Sequence, residues 1–166
     1  MTHYDKSQAE ELLKVTEAPK PTNELRWCTF FDNGMSIKQM RDAHSDIIYP
    51  NMWCEDEAFY TLTEEPQERT LLMDMLPDSN NKAFEEQVAM QPRGCEVPKA
   101  RQLMMMCVLH FKATGERLLV NDWIRCCDKT ARGRWVCARW SGDRLDFGYW
   151  SGDAGSYIGS LSARTS

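Results

Sequence analysis

The chain has 166 residues, of which 42% are hydrophobic and 27% charged, so it is an ordinary globular sequence that can form a core without cross-links. No apolar run approaches the ~18 residues that a membrane span needs, and no secretory signal is visible, so we expect a cytoplasmic or virion-associated protein. The net charge is −5, and seven widely spaced cysteines include no C-x-x-C pair. We therefore expect reduced thiols and no metal site. No cofactor is expected, and the sequence leaves the oligomeric state open, with a monomer favoured over an oligomer.

The N-terminal segment carries one helix signal and one linker signal. Ser7-Gln8-Ala9-Glu10 is a capping-box pattern ahead of apolar residues, and it predicts a short helix over residues 7–17. Pro19 and Pro21 end that helix and predict a linker. We expect an N-terminal helix and linker over residues 1–25 and one domain over residues 26–166.

Four further elements are predicted before residue 90. Residues 27–31 are an apolar run that predicts a strand, closed by the turn Asp32-Asn33-Gly34. Ser36 can cap a helix whose apolar residues keep helical spacing to about Tyr49. Residues 69–76 predict a strand, and residues 80–90 carry helix formers.

The clearest helix begins at Pro98, because proline suits the first helical position, and ends at Thr114-Gly115. Its apolar residues lie nearly all round the helix, so we expect it to be central and buried, with Met104, Met105 and Met106 in the core. His110 lies on the same apolar surface, and we expect a core or interface position for it, as for His44.

Beyond residue 122, short alternating runs predict strands. The candidate strands are residues 123–127, 134–140, 145–150 and 157–164, and turn-like sequences lie at residues 141–143 and 151–156. Within residues 134–140, Val136 and Ala138 fall on one face, and Trp135, Cys137 and Arg139 on the other. We expect an α+β fold with a small mixed or antiparallel sheet, two helices, long C-terminal loops and the N-terminal helical extension.

The composition changes abruptly at the same point. Residues 123–166 hold four of the six Trp, six of the nine Gly and six of the twelve Arg, but no Glu, Gln, Met, Pro or His. Their net charge is +3, against −8 for the first 122 residues, and this falls far short of a nucleic-acid footprint. Aromatic, Arg, Ser and Gly residues together are typical of recognition surfaces, although a β-rich half with ordinary turns also disfavours Glu and Met.

Four pieces of the sequence resemble one known family. They are Val97-Pro98-Lys99-Ala100, the run from Leu109 to Leu119, Trp123-Ile124-Arg125-Cys126-Cys127-Asp128, and Leu161-Ser162-Ala163-Arg164. In this order, and with the break in composition, residues 95–166 are similar to the variable proteins of diversity-generating retroelements of bacteria, phages, archaea and archaeal viruses. The resemblance implies a C-type lectin fold and a variable ligand-binding region at about 123–166, rewritten by reverse transcription that mutates template adenines.

Adenine mutagenesis predicts a particular composition. An AAC codon can become a codon for Ser, Gly, Asp, Tyr, Arg, Cys or Ala, but not for Glu, Gln, Lys or Met. Residues 123–166 lack Glu, Gln and Met and contain a single lysine, Lys129. Trp cannot arise from AAC, so the tryptophans need another codon or belong to the scaffold.

The resemblance therefore implies a ligand-binding protein and not an enzyme, with a hypervariable surface that recognises a protein or glycan on a host or other cell. Aromatic rings would fill pockets or stack on sugars, Arg would donate to acidic groups, and Ser and Asp would fit polar edges. The candidate contact residues are Arg134, Cys137, Arg139, Trp140, Asp143, Asp146, Tyr149, Trp150, Ser151, Asp153, Ser156 and Tyr157.

Two alternatives stay open. Formylglycine-generating enzymes share the C-type lectin fold and use cysteines, for which Cys126, Cys127 and Cys137 are the only candidates here, but no activating neighbour is evident in the sequence. A phage or viral inhibitor protein would use the same surface against one fixed partner.

Four other charged motifs carry weaker signals. Asn121-Asp122-Trp123 has the residues of the Trp-Asn-Asp calcium motif of sugar-binding C-type lectins in the wrong order, and no Glu-Pro-Asn partner exists, so we expect no calcium site. Glu55-Asp56-Glu57 and Glu64-Glu65 are expected to be solvated surface. Arg132, Arg134 and Arg139 could meet a phosphate backbone, but scattered Asp residues weigh against it.

Overall fold

The computed structural model describes residues 13–15, 27–65, 67–73, 78–120 and 122–165, and within them it forms two four-stranded sheets and four helices. The strands are β1 (Leu13–Val15), β2 (Trp27–Asp32), β3 (Gln67–Met73), β4 (Trp123–Lys129), β5 (Trp135–Ser141), β6 (Arg144–Trp150), β7 (Ile158–Ser160) and β8 (Ala163–Thr165). The helices are α1 (Ile37–Ala43), α2 (Ala58–Thr61), α3 (Phe84–Ala89) and α4 (Ala100–Thr114). The predicted α+β class with a small mixed sheet is confirmed, but the described residues form four helices where two were expected.

The two sheets differ in strand order and direction. Sheet 1 has the order β1-β2-β3-β8 with antiparallel neighbours, and sheet 2 has the order β6-β5-β4-β7 with β4 and β7 parallel. The single strand predicted over residues 157–164 is therefore wrong. The strand is interrupted at Leu161-Ser162, which are both buried, and there the backbone passes from sheet 2 to sheet 1.

Helix α4 lies against strands of both sheets, and every residue from 100 to 110 is buried. A helix that is apolar nearly all round needs cover on all sides, and the two sheets provide it together with α1 and α2. The predicted central helix is confirmed, with the three methionines and His110 inside. It begins two residues later than predicted, at Ala100 with Lys99 as the N-cap, and it ends at Thr114, where Gly115 is the C-cap with a φ of 78°. Of the helices described, none is long and apolar enough to cross a membrane.

Helix α1 is shorter than predicted. Ser36 caps it in a capping box, but the helix ends at Ala43 and not near Tyr49. The main chain of Ile47 accepts a hydrogen bond from Leu145 at 2.7 Å, and the nitrogen of Tyr49 donates to the carbonyl of Leu145 at 3.2 Å. Pairing with β6 thus overrides the local helical spacing.

The helix predicted over residues 7–17 is wrong where the structure describes it. Residues 13–15 form β1, which pairs antiparallel with β2, while the other residues of that prediction lie outside the described parts. Pairing with β2 gives the backbone N–H and C=O groups of β1 their hydrogen-bond partners, and this stabilisation outweighs the local capping signal. The predicted strands at 27–31 and 69–76 are confirmed as β2 and β3, with residues 74–77 again outside the described residues.

Glu64 is not the solvated surface residue that we expected. Its carboxylate lies 2.6 Å from the Lys99 ammonium and 3.0 Å from the Arg101 guanidinium, and its side chain is about one-fifth exposed (20%). The loop around it also packs closely on the turn after β2, since a Cβ at Gly34 would lie 2.0 Å from the carbonyl oxygen of Glu64. This loop is therefore part of the join between sheet 1 and α4.

Candidate recognition surface

The two faces of sheet 2 pack against different parts of the chain. Its inner face packs on α4 and carries Val136 and Ala138, as the alternation predicts, together with Leu145 and Phe147. On the opposite side, which we call the outer face, the strand register places Arg125, Cys137 and Gly148 side by side.

Residues 151–157, here the crossing loop, lead from the end of β6 to the start of β7 across the outer face. The carbonyl oxygens of Gly152 and Gly155 accept hydrogen bonds from the nitrogens of Phe84 at 2.8 Å and Asn81 at 3.0 Å. The Phe84 ring stacks on Trp135 with 3.5 Å between centroids. The segment around α3 and the crossing loop therefore close one part of the outer face.

Arg125 lies under this cover with its side chain fully buried. It donates hydrogen bonds to the carbonyl of Asp153 at 2.8 Å, to the side chain of Gln87 at 3.1 Å and to the carbonyl of Lys82 at 3.4 Å. No carboxylate among the described residues pairs with it, and burial lowers the pKa of its guanidinium. Arg125 thus fastens the crossing loop and the α3 segment to the sheet.

Beside the crossing loop, the outer face opens into a recess of about 130 Å³, which we call the indole pocket. It is lined by Trp123, Cys137, Gly148, Tyr149, Trp150 and Ile158. The Trp123 ring lies over Gly148, where a Cβ would be 3.0 Å from two ring carbons. Arg139 places its guanidinium 4.3 Å from the centre of the same ring. Because pockets for whole ligands hold roughly 300 Å³ or more, this one fits a single side chain or ring.

Cys137 lies at the base of the indole pocket and is buried. Burial raises its pKa to about 12, even though the charge of Arg125 acts in the opposite direction. Burial also raises the pKa of Cys127 to about 12 and that of Cys126 well above its ordinary value. A nucleophilic cysteine is activated by a lowered pKa, whereas burial shifts the pKa of all three thiols upward.

A second recess, the end cleft, lies where β6 ends beside the turn between β4 and β5. It has a volume of about 340 Å³ and is lined by Trp53, Asp56, Glu57, Thr130, Arg132, Arg134 and Tyr149. Arg134 lies 4.9 Å from the centre of the Tyr149 ring, and Trp53 meets that ring edge-on, also at 4.9 Å. The end cleft therefore combines two aromatic rings with two acidic and two basic residues.

The structure brings together most of the predicted contact residues but divides them between places. Arg134 and Tyr149 line the end cleft, whereas Arg139 and Asp146 lie half-buried in the middle of the outer face. Burial raises the pKa of Asp146, although the charge of Arg139 lowers it. Five of the predicted contact residues are exposed on the crossing loop or just before it: Trp150, Ser151, Asp153, Ser156 and Tyr157.

Three of the predicted contact residues lie away from the exposed surface of the crossing loop. Trp140 is 2% exposed and packs against Phe111 in the core, because it shares the strand face of Val136. Asp143 lies in the turn between β5 and β6, about 20 Å along the hairpin from its open end. Cys137 reaches only the base of the indole pocket.

Sequence reasoning missed several lining residues. Trp123 and Gly148 could have been found by extending the alternation of β5 to its neighbouring strands. Trp53 has no such signal: its indole N–H donates to the carbonyl of Phe147 at 2.7 Å, across 94 positions of sequence. Its place depends on the path of the chain beside β6.

Comparisons of the chain with protein-family models, with curated proteins and with solved structures find no match. Among the described residues, no three His, Cys, Asp or Glu side chains are grouped so that they could hold a metal ion. The geometry of the outer face and of the end cleft therefore carries the argument about function.

Proposed function

We propose that this chain is a recognition protein that binds a protein or glycan of a host or other cell through the outer face of sheet 2. The observation that carries the proposal is the indole pocket beside exposed aromatic residues: Trp150 is 46% exposed and Tyr157 73%. Tryptophan, tyrosine and arginine are the residues that dominate binding energy at interfaces.

The size of the indole pocket fits this role. It accepts one anchoring side chain or one sugar ring, and the rest of a ligand would lie across the surrounding surface. Ser151, Asp153 and Ser156 are exposed on the crossing loop beside it and offer small, adaptable hydrogen-bonding groups. A rigid aromatic recess with an adaptable polar rim is how interfaces combine affinity with specificity.

The fold and its diversification belong to the same proposal. A mixed sheet over a central helix, with a long loop across the outer face, is compatible with a C-type lectin-like fold whose variable region covers about 123–166. The exposed Ser, Asp and Tyr residues of the crossing loop are types that adenine mutagenesis produces. A near-copy of the bases that encode residues 123–166, beside a reverse transcriptase gene, would support diversification. Its absence from a complete genome would favour the inhibitor with one fixed partner.

Binding can be tested with ligands selected for the purpose. Peptides selected from a random display collection against the native chain, and hits from a glycan array, would be measured again with the Trp150→Ser, Tyr157→Ser double variant. We expect affinity to fall roughly tenfold or more. The control is Leu62→Ser, which removes a 53% exposed side chain after α2. Ligands that bind the native chain and the double variant equally well would contradict the proposal.

A further inference from the structure

The end cleft carries charges of both signs that do not neutralise one another. Asp56 and Glu57 come from the segment before α2, and Arg132 and Arg134 come from the turn between β4 and β5. Among the ion pairs of the described residues, none joins these acids to these arginines. Four charged groups therefore face one recess with a net charge of zero.

The walls of the end cleft are held in place by contacts that leave these charges available. Glu57 accepts a hydrogen bond from the nitrogen of Ala131 at 2.7 Å, which ties the acidic segment to the turn. Thr130 bonds twice to the main chain of Arg134, at 2.8 Å and 3.1 Å. Because the Glu57 carboxylate and the backbone of the turn are already positioned, a ligand has less to order on arrival, which favours binding.

The aromatic part of the end cleft is similarly fixed. Trp53 is anchored to the Phe147 carbonyl, and the Tyr149 ring lies between Trp53 and the Arg134 guanidinium. These rings form an apolar wall beside the charged groups. At about 340 Å³, the end cleft lies within the roughly 300–1,000 Å³ range of small-molecule sites, unlike the indole pocket.

We infer that the end cleft is a separate site for a small zwitterion of the amino-acid class. The amine of the ligand lies against Asp56 and Glu57, its carboxylate against Arg132 and Arg134, and its apolar side chain against Trp53 and Tyr149. A simple anion meets two carboxylates and a simple cation meets two guanidiniums, so only a ligand with both charges satisfies both walls. This inference goes beyond the proposed recognition of macromolecules and does not depend on it.

Four probes with the same phenyl ring test the charge requirement. They are L-phenylalanine, its N-acetyl derivative, its amide, and the N-acetyl amide, which are zwitterionic, anionic, cationic and neutral. Binding is followed by nitrogen-15 NMR titration at the indole N–H of Trp53. We expect L-phenylalanine to bind most tightly and each blocked charge to weaken binding roughly tenfold or more. Failure of L-phenylalanine to bind, or equal binding of all four probes, would overturn the inference.

Two charge variants assign the walls. Arg134→Gln, with Arg132→Gln as a second variant, should weaken the probes that have a free carboxylate and leave the amide unchanged. Asp56→Asn should weaken the probes that have a free amine and leave the N-acetyl derivative unchanged. Arg93→Gln, at an exposed arginine outside the end cleft, should change nothing. An equal effect of both charge variants on all four probes would also overturn the inference. Such a result would not bear on the proposed function, which is tested separately by peptide binding at the indole pocket.

Discussion

Arg101 and Asp32 form a buried ion pair through two hydrogen bonds: Nη1 lies 2.5 Å from Oδ1, and Nη2 lies 2.6 Å from Oδ2. The pair joins α4 to the end of β2, and the same Asp32 Oδ1 accepts a hydrogen bond from the nitrogen of Gly34 at 2.9 Å. Since both side chains are withdrawn from water, neither charge has an alternative partner in solvent. The pair therefore fixes how sheet 1 meets the central helix.

Replacing Arg101 should strongly destabilise the fold. Arg101→Gln leaves the Asp32 carboxylate buried without its partner, and we expect the free energy of unfolding to fall by about 3–5 kcal/mol. Lys99→Gln is the control, because that lysine is 39% exposed and should cost about 1 kcal/mol or less. Urea denaturation of both variants measures the difference. Equal, small losses would show that the buried pair contributes little.

Glu64 should make stability depend on pH. Burial raises the pKa of Glu64, but the hydrogen bond from Lys99 and the charges of Arg101 and Lys99 outweigh this effect and hold the pKa below its ordinary value. A lowered pKa stabilises the fold above the pKa of the unfolded chain, and this stabilisation is lost as the pH falls through the folded pKa.

We predict that Glu64→Gln lowers the free energy of unfolding at pH 7 by roughly 1–3 kcal/mol. The difference from the native chain should shrink as the pH falls below about 4, because the carboxylate is protonated first in the unfolded chain and then, at lower pH, in the folded one. Denaturation between pH 3 and pH 7 checks this. A difference that does not change with pH would contradict the assignment of the lowered pKa.

Gly148→Ala should disturb the indole pocket. The added Cβ would lie 3.0 Å from two carbons of the Trp123 ring, so the ring has to shift. We expect a stability loss of roughly 1–3 kcal/mol, since overpacking displaces a side chain that is otherwise well seated. Selected peptides should bind more weakly, while L-phenylalanine should bind the end cleft as before. Unchanged peptide affinity would show that Trp123 does not contribute to recognition.

The exposed residues of the crossing loop should be replaceable without loss of the fold. Changing Ser151, Asp153, Ser156 and Tyr157 together to Ala should alter the free energy of unfolding by about 1 kcal/mol or less and weaken ligand binding. Leu109→Ala, at a fully buried position, should cost about 2–5 kcal/mol. Thermal melts distinguish the two, and loss of more than half the stability in the loop variant would place these side chains in the packed interior.

Removal of divalent metal should leave the fold unchanged. A metal ion that bound the folded state would raise the melting temperature by mass action. We expect the same melting temperature with and without a chelator. A fall of several degrees on chelation would contradict this prediction and reveal a metal site in the folded chain.

Elements with a strong local signal were predicted well. The strand alternation in β5 and β6 and the all-round apolar pattern of α4 depend on burial, which each segment records in its own sequence. The errors at β1, at the end of α1 and at the break between β7 and β8 arise where pairing with a distant strand decides the backbone path. Local spacing contains no information about such partners.

In the candidate site, too, features with a local sequence signal were predicted and features that depend on distant segments were not. Arg139 and Cys137 were placed on the correct face by alternation, and the same rule, extended to Trp140, would have removed that residue from the contact set. The end cleft could not be predicted from the sequence, because Trp53 and Asp56 line it from a segment that is distant in sequence from β5 and β6. Its charges become a site only once the path beside β6 is known.

The way in which the crossing loop is anchored decides which of its residues can be substituted. The groups that hold it are the carbonyl oxygens of Gly152, Asp153 and Gly155, which accept bonds from Phe84, Arg125 and Asn81. Every amino acid carries such a carbonyl, so these three bonds do not require a particular side chain at position 153, where the charge of Asp153 also acts on Arg125, nor at the exposed positions 151, 154, 156 and 157. Codon changes at these five positions would alter the ligand-binding surface while leaving in place the hydrogen bonds that anchor the loop.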